Sequence, residues 1–280
     1  MKKNLTSFIF TGIFFTTAMS QVNLPSTSPT QTVKQDFGMG SIELVYSRPN
    51  SKNRTVFGDL VPYGKLWRTG ANGATRLTFS IPVEIGGRKI DTGSYVLYTI
   101  PAEDNWEIIL NKSINNGGVN GYKEADEVVH FTVPSVKTSD KTATFTMQFA
   151  NIKPESCDLQ LIWEKRRVSI QITTNIKDKI RRQIDSAMAT DKKPYWQAAQ
   201  FYFEYDKNLN RALENVTKAT GENSKAYYMF LYKARIEKEM GKTAAAMESS
   251  KTSLALSKEA KNDDYVRMNE KLQKELKRGN

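Results

Sequence analysis

The sequence is poor in the residues that most often carry chemistry: it has one cysteine and one histidine in 280 residues. A lone Cys157 can form no internal disulfide, so a packed core must hold the fold. Its setting in CDLQLIW reads as a small buried apolar residue and not as a reactive thiol. One histidine, His130, together with one cysteine makes no zinc-ligand cluster. Within VVHFTVP it reads as a side chain on the face of a strand. No G-x-S-x-G elbow accompanies it, and no glycine-rich phosphate loop precedes a helix. Serine-triad, zinc and nucleotide chemistries are disfavoured, no cofactor or metal is expected, and no residue is assigned a catalytic role. Carboxylates remain. Asp59, Glu84, Glu107 and the Asp126-Glu127 pair would suit a glycan hydrolase if folding brought two of them together.

Long apolar runs are missing too, with one exception at the N-terminus. Lys2 and Lys3 precede the run from Phe8 to Phe15, and Ala18-Met19-Ser20 places small residues before Gln21. That is the form of a secretory signal peptide over residues 1 to 20, too short to span a membrane. No cysteine follows it to take a lipid. The expectation is an exported protein, periplasmic or extracellular, neither lipid-anchored nor held by a transmembrane anchor in its mature form. Nucleic acid is then not an expected partner. The net charge of +11 gathers in the C-terminal third, with 22 basic against 15 acidic residues after 174 and 17 against 15 over 21 to 174. Acids and bases are interspersed there, the mark of a solvated helical exterior.

Two kinds of periodicity divide the rest. Residues 21 to 30, QVNLPSTSPT, read as a flexible leader. From 31 to 174 short segments alternate with period two, as in Ile42, Leu44 and Tyr46, or Leu77, Phe79 and Ile81. Turns such as Gly86-Gly87 separate them. Nine or ten short strands without helical period predict an all-β antiparallel sandwich, jelly-roll-like. Near 175 the period changes: Ile176, Ile180, Ile184 and Met188 recur at helical spacing. Residues 175 to 280 are predicted to form an α-helical domain with two degenerate 34-residue repeats. Trp196, Ala212 and Ala219 are matched by Phe230, Ala246 and Ser253, a spacing that resembles the tetratricopeptide repeat. The first copy departs from that pattern, with Gln200 at a small-residue position and Lys207 where a turn glycine is usual. Such helices would either brace the sandwich or dock a protein partner.

One stretch stands out: YSRPNSKNRTVFGDLVPYGKLWRTGANGAT from Tyr46, followed by GSYVLYTIP and WEIILN. A loop this long inside a compact domain generally has a function or an internal bonding network. The run resembles domain-of-unknown-function family 2911, a group of exported bacterial proteins in which YSRP, R-x-x-F-G, P-x-G-x-x-W-R-T-G-A-N and G-x-Y-x-L-x-x-I-P recur in that order, here over about residues 28 to 172. The resemblance implies a domain boundary and a motif but no chemistry. Asn53 stands where a glycine is common in that group. Arginine forks suit carboxylate or phosphate oxygens, so Arg48, Arg54 and Arg68, with Trp67, Tyr63 and Trp106 as an aromatic wall and Asn72 as an orienting amide, form the candidate site. The expected ligand is anionic or carbohydrate-like. The competing expectation is a purely structural envelope protein, in which the arginines satisfy loop carbonyls and the aromatic rings anchor the loop in the core.

Overall fold

The computed structural model describes residues 24–278. The expected signal peptide lies outside the described residues. Nine antiparallel strands come first, then six helices.

A hairpin of β1 (Thr30–Phe37) and β2 (Gly40–Ser47) turns at Gly38, whose φ is 59°. A Cβ on Gly38 would lie 2.8 Å from Thr174 Cγ2, so glycine is required there twice over. Next come β3 (Thr75–Phe79), the short hairpin β4 (Val83–Ile85) and β5 (Arg88–Ile90), then β6 (Gly93–Pro101) and β7 (Asn105–Asn111). Gly86 and Gly87 turn that short hairpin at φ 57° and 73°, as its two-residue loop demands. β8 (Glu127–Lys153) and β9 (Ser156–Thr173) complete the order β1-β2-β3-β6-β7-β8-β9-β4-β5. Ile42, Leu44 and Tyr46 all point into one core, as their alternation predicts.

β8 belongs to both layers of the sandwich. Its first part pairs with β7 up to Pro134, and from Ser135 onward it pairs with β9. By alternation alone this stretch reads as four separate segments, 127 to 133, 142 to 150, 158 to 163 and 167 to 174. β8 and β9 instead run on through irregular register between Lys137 and Thr146. The charged segments Asp140-Lys141 and Glu164-Lys165-Arg166 interrupt the period at that place, which is how a bulged strand reads in sequence.

The helices are α1 (Lys177–Met188), α2 (Tyr195–Glu204), α3 (Leu209–Glu222), α4 (Tyr227–Glu239), α5 (Thr243–Glu259) and α6 (Asp263–Arg278). The predicted small positions Ala212, Ala219, Ala246 and Ser253 are all buried at helix crossings. In α2 the buried small residues are Ala198 and Ala199, while Gln200 stays half-buried. Lys207 occupies its turn with φ 55°, matching Gly241 at φ 72° in the following turn. Among the described residues no helix is long and apolar enough to cross a membrane.

The two halves meet through their connection. Thr174 Oγ1 donates to Pro82 O (3.0 Å), Ile176 N donates to Glu155 Oε1 (3.1 Å), and Ile176 is buried. The strongly associated pairs of elements are strand with strand or helix with helix.

Candidate functional site

The excursion between β2 and β3, residues 48 to 74, has three parts. The first continues β2 along the second half of β8. Ser51 N donates to Ala143 O (2.8 Å), and Phe145 N donates to Pro49 O (2.9 Å). Arg48 lies along the same edge, its Nε on Phe145 O (3.2 Å) and its Nη2 on Thr146 Oγ1 (2.8 Å). Arg48 is thereby committed to closing the sandwich. At the end of this part Lys52 and Asn53 adopt φ 47° and 61°. That left-handed geometry favours glycine, and asparagine is the side chain that tolerates it best. Arg54 reaches back across the turn, Nε to Ser51 O (3.0 Å) and Nη2 to Asn50 O (3.2 Å).

The third part is tied just as fully. Trp67 N and O exchange hydrogen bonds with Thr99 at 2.8 and 3.0 Å, and Trp67 Nε1 donates to Gly70 O (3.0 Å). Its indole stacks on Trp163 with ring centroids 6.0 Å apart and packs against Trp106 and Phe145. Trp106 is 2% exposed, so it belongs to the core and not to a wall facing solvent. Asn72 Nδ2 donates to Ser28 O (3.0 Å), and Arg48 N donates to Pro29 O (2.9 Å). The last residues of the expected leader are therefore held onto the loop. Arg68 follows the inward Trp67 and makes no side-chain hydrogen bond among the described residues, its Nε being buried without an acceptor.

The middle part is different. Val56 and Val61 anchor it in the core, and Gly58 N donates to Val61 O (2.9 Å). Between these anchors and the bulged region of β8 and β9 lies a depression of about 400 Å³. Arg54, Phe57 and Tyr63 line it from the loop; Lys141, Glu164, Lys165 and Arg166 line it from the opposite wall. The structure thus brings two of the seven predicted site residues, Arg54 and Tyr63, to one place. It adds four that motif reasoning missed, because they lie about a hundred residues away in the chain. A trace was legible: Glu164 to Arg167 form a run of four charges inside a strand that otherwise alternates apolar with polar residues.

The depression carries four cations and one carboxylate. Glu164 Oε2 pairs with Lys141 Nζ at 3.0 Å, while its Oε1 is buried without a hydrogen-bond partner among the described residues. Arg166 Nη2 approaches Glu103 at 3.6 Å, and Glu103 is itself well exposed. Lys165 has no ion-pair partner among the described residues. The lining is thus net positive, with Glu164 and Glu103 set against four cations.

A second cluster lies on the face of β7 and β8. His130 Nε2 is 2.7 Å from Glu107 Oε2, and its Nδ1 is 3.2 Å from Glu127 Oε2. Tyr122 donates to the other oxygen of Glu127, and burial, reinforced by that carboxylate, raises its phenol above the ordinary range. His130 occupies the strand face its sequence predicts. Glu107 and Glu127, two of the carboxylates singled out for hydrolysis, do meet, but the imidazole fills the gap between them. Among the described residues no three His, Cys, Asp or Glu side chains are arranged to hold a metal ion.

On the helical side, α2, α4 and α6 border a groove of about 590 Å³, lined by Phe203, Arg235, Lys238, Met268, Lys271 and Glu275 among others. Lys238 and Glu275 bridge it at 2.5 Å.

No curated protein and no solved structure matches the chain. The family described as Protein of unknown function (DUF2911) matches residues 28–172. That span covers the sandwich from just before β1 to the end of β9 and takes in every residue of the loop depression; the chain belongs to this family.

Proposed function

We propose that the protein is an exported, noncatalytic binding or assembly module whose sandwich takes an anionic or carbohydrate-like ligand. The carrying observation is the depression between the loop and the β8–β9 bulge, where four cations face one carboxylate. Export rests on the leader-like sequence of residues 1 to 20. The helical repeats, with their mixed-charge groove, are the surface for docking a protein partner.

Carboxylate-dependent glycan hydrolysis is the second reading, because Glu107 and Glu127 converge on His130. A scissile bond must lie between two such carboxylates, and here a ring already does. The binding reading is therefore preferred.

Thermal-shift titration of the full mature chain with organic acids and sugar acids separates the two. A bound anion raises the melting temperature, and the rise keeps growing with the logarithm of its concentration above Kd. The rise should vanish in Lys165→Glu/Arg166→Glu and persist in Glu107→Gln and Glu127→Gln. Glycan cleavage that disappears in either glutamine variant would establish the hydrolase instead.

A further inference from the structure

We propose that the occupant of the loop depression is an acidic sugar: a pyranose bearing a carboxylate, free or within a glycan. The proposal rests on the binding reading above and narrows it to one ligand class.

The size leaves room for more than a simple inorganic anion. About 400 Å³ falls in the range of small-molecule sites and exceeds what a single inorganic ion fills. The walls hold more than charge. Tyr63 is 40% exposed, and its ring rests on Gly58, where an added Cβ would lie 3.1 Å from Tyr63 Cε2. One side of the ring is thus supported by backbone, leaving a platform for the apolar face of a sugar ring. Beside it Arg54 spends Nε and part of Nη2 on loop carbonyls, which fixes the guanidinium in place and leaves its remaining donors for a ligand carboxylate. Lys165 and Arg166 add charge from the opposite wall.

Glu164 is the one acid on this wall; one of its oxygens lies 3.0 Å from Lys141 Nζ and the other is buried away from solvent, so its charge is largely met within the protein.

The backbone around the depression is also held in conformations that side chains avoid. Lys52, Asn53 and Glu164 all have positive φ, at 47°, 61° and 51°. Left-handed residues other than glycine persist where surrounding structure fixes them, and they gather at ligand sites. Glu164 lies within the irregular register of β8 and β9, and bulges of this kind re-aim side chains beside binding sites.

The experiment is calorimetric titration of the full mature chain with galacturonate, a short oligogalacturonate, galactose, acetate and triglutamate. Galacturonate should bind at least about tenfold more tightly than galactose or acetate, since a charge-assisted contact is added to a stacked ring. Tyr63→Ala should lower galacturonate affinity about tenfold, and Tyr63→Trp should restore it, because the platform and not the phenol is required. Tighter binding of the oligomer identifies a glycan as the source; equal binding identifies the free sugar. Acetate or triglutamate binding as tightly as galacturonate, with Tyr63→Ala without effect, overturns the sugar assignment and leaves the anion reading standing. No binding of any anion, with melting temperature indifferent to all of them, overturns both.

Discussion

The sandwich and the helical domain keep their chains folded by different means. Inside the sandwich, Trp67, Trp106, Trp163, Phe57 and Phe145 form a contiguous aromatic group into which the long loop inserts its own rings. The helices have aromatic contacts too, such as Trp196 with Tyr232, but around α5 they approach through alanine and serine. Ser249, Ser250, Ser253, Ser257 and Asn269 are buried between α5 and its neighbours, and Asn269 bonds both Ser250 and Ser253. Large rings derive their stability from area removed from water. Buried hydroxyls and amides contribute little net, but they cost dearly when one partner is removed. The sandwich core should therefore respond to lost volume, and the contact of α5 with α6 to lost hydrogen bonds.

The largest expected effect tests the first half of that contrast. Trp67→Ala should destabilise the sandwich by about 3–5 kcal/mol, the usual cost of truncating a large aromatic side chain in a core. Urea unfolding followed by β-type circular dichroism would measure it, and a loss under about 1 kcal/mol would show that the loop is not anchored by its rings.

Cys157 sharpens the same point through pH. Burial pushes its thiol up from 9.0 to about 11, with Asp158 adding to the shift. Below pH 9 both folded and unfolded chains keep the proton, so stability is undiminished. As pH rises from 9 toward 11 the unfolded chain ionises first, and stability falls by at most roughly 3 kcal/mol. Cys157→Ser should flatten that part of the profile, and in the native wild type the thiol should resist alkylation at pH 8.

The helical half is probed by Asn269→Ala, which strips partners from Ser250 and Ser253 and should cost about 1–3 kcal/mol. Hydrogen exchange should show the loss in α5 and α6 while the strands keep their protection. Equal loss of protection in β7 or β9 would mean that the halves unfold as one body.

The smallest effect has the opposite sign. Lys207 holds a left-handed conformation that glycine adopts freely, so Lys207→Gly should raise the melting temperature of the helical half by an amount worth up to about 1 kcal/mol. No rise would mean that the contact of Lys207 with the Phe203 ring offsets the strain.

Much of the architecture was legible in the chain. Ile42, Leu44 and Tyr46 announced a buried face, Ile176 to Met188 announced a helix, and the boundary between them falls where the period changes. Lys207 and Gly241 marked equivalent turns despite their different side chains. The continuity of β8 and β9 was not legible, because Asp140-Lys141 and Glu164-Lys165-Arg166 break the alternation while the backbone runs on through bulges. Nor was the distribution of the loop arginines. Arg48, Arg54 and Arg68 lie within 21 positions of each other, yet one closes a sheet edge, one braces a turn and one follows an inward tryptophan without sharing its bonds.

Local composition and periodicity, acting through side chains near in sequence, determined that a strand-rich domain is followed by helices, in a chain whose single cysteine can form no internal disulfide. Only the tertiary structure decided which cations share a site. Lys141, Glu164, Lys165 and Arg166 reach Arg54 and Tyr63 because a bulged hairpin folds back on the loop, and an interrupted period marks the bulge without saying which distant segment it will meet.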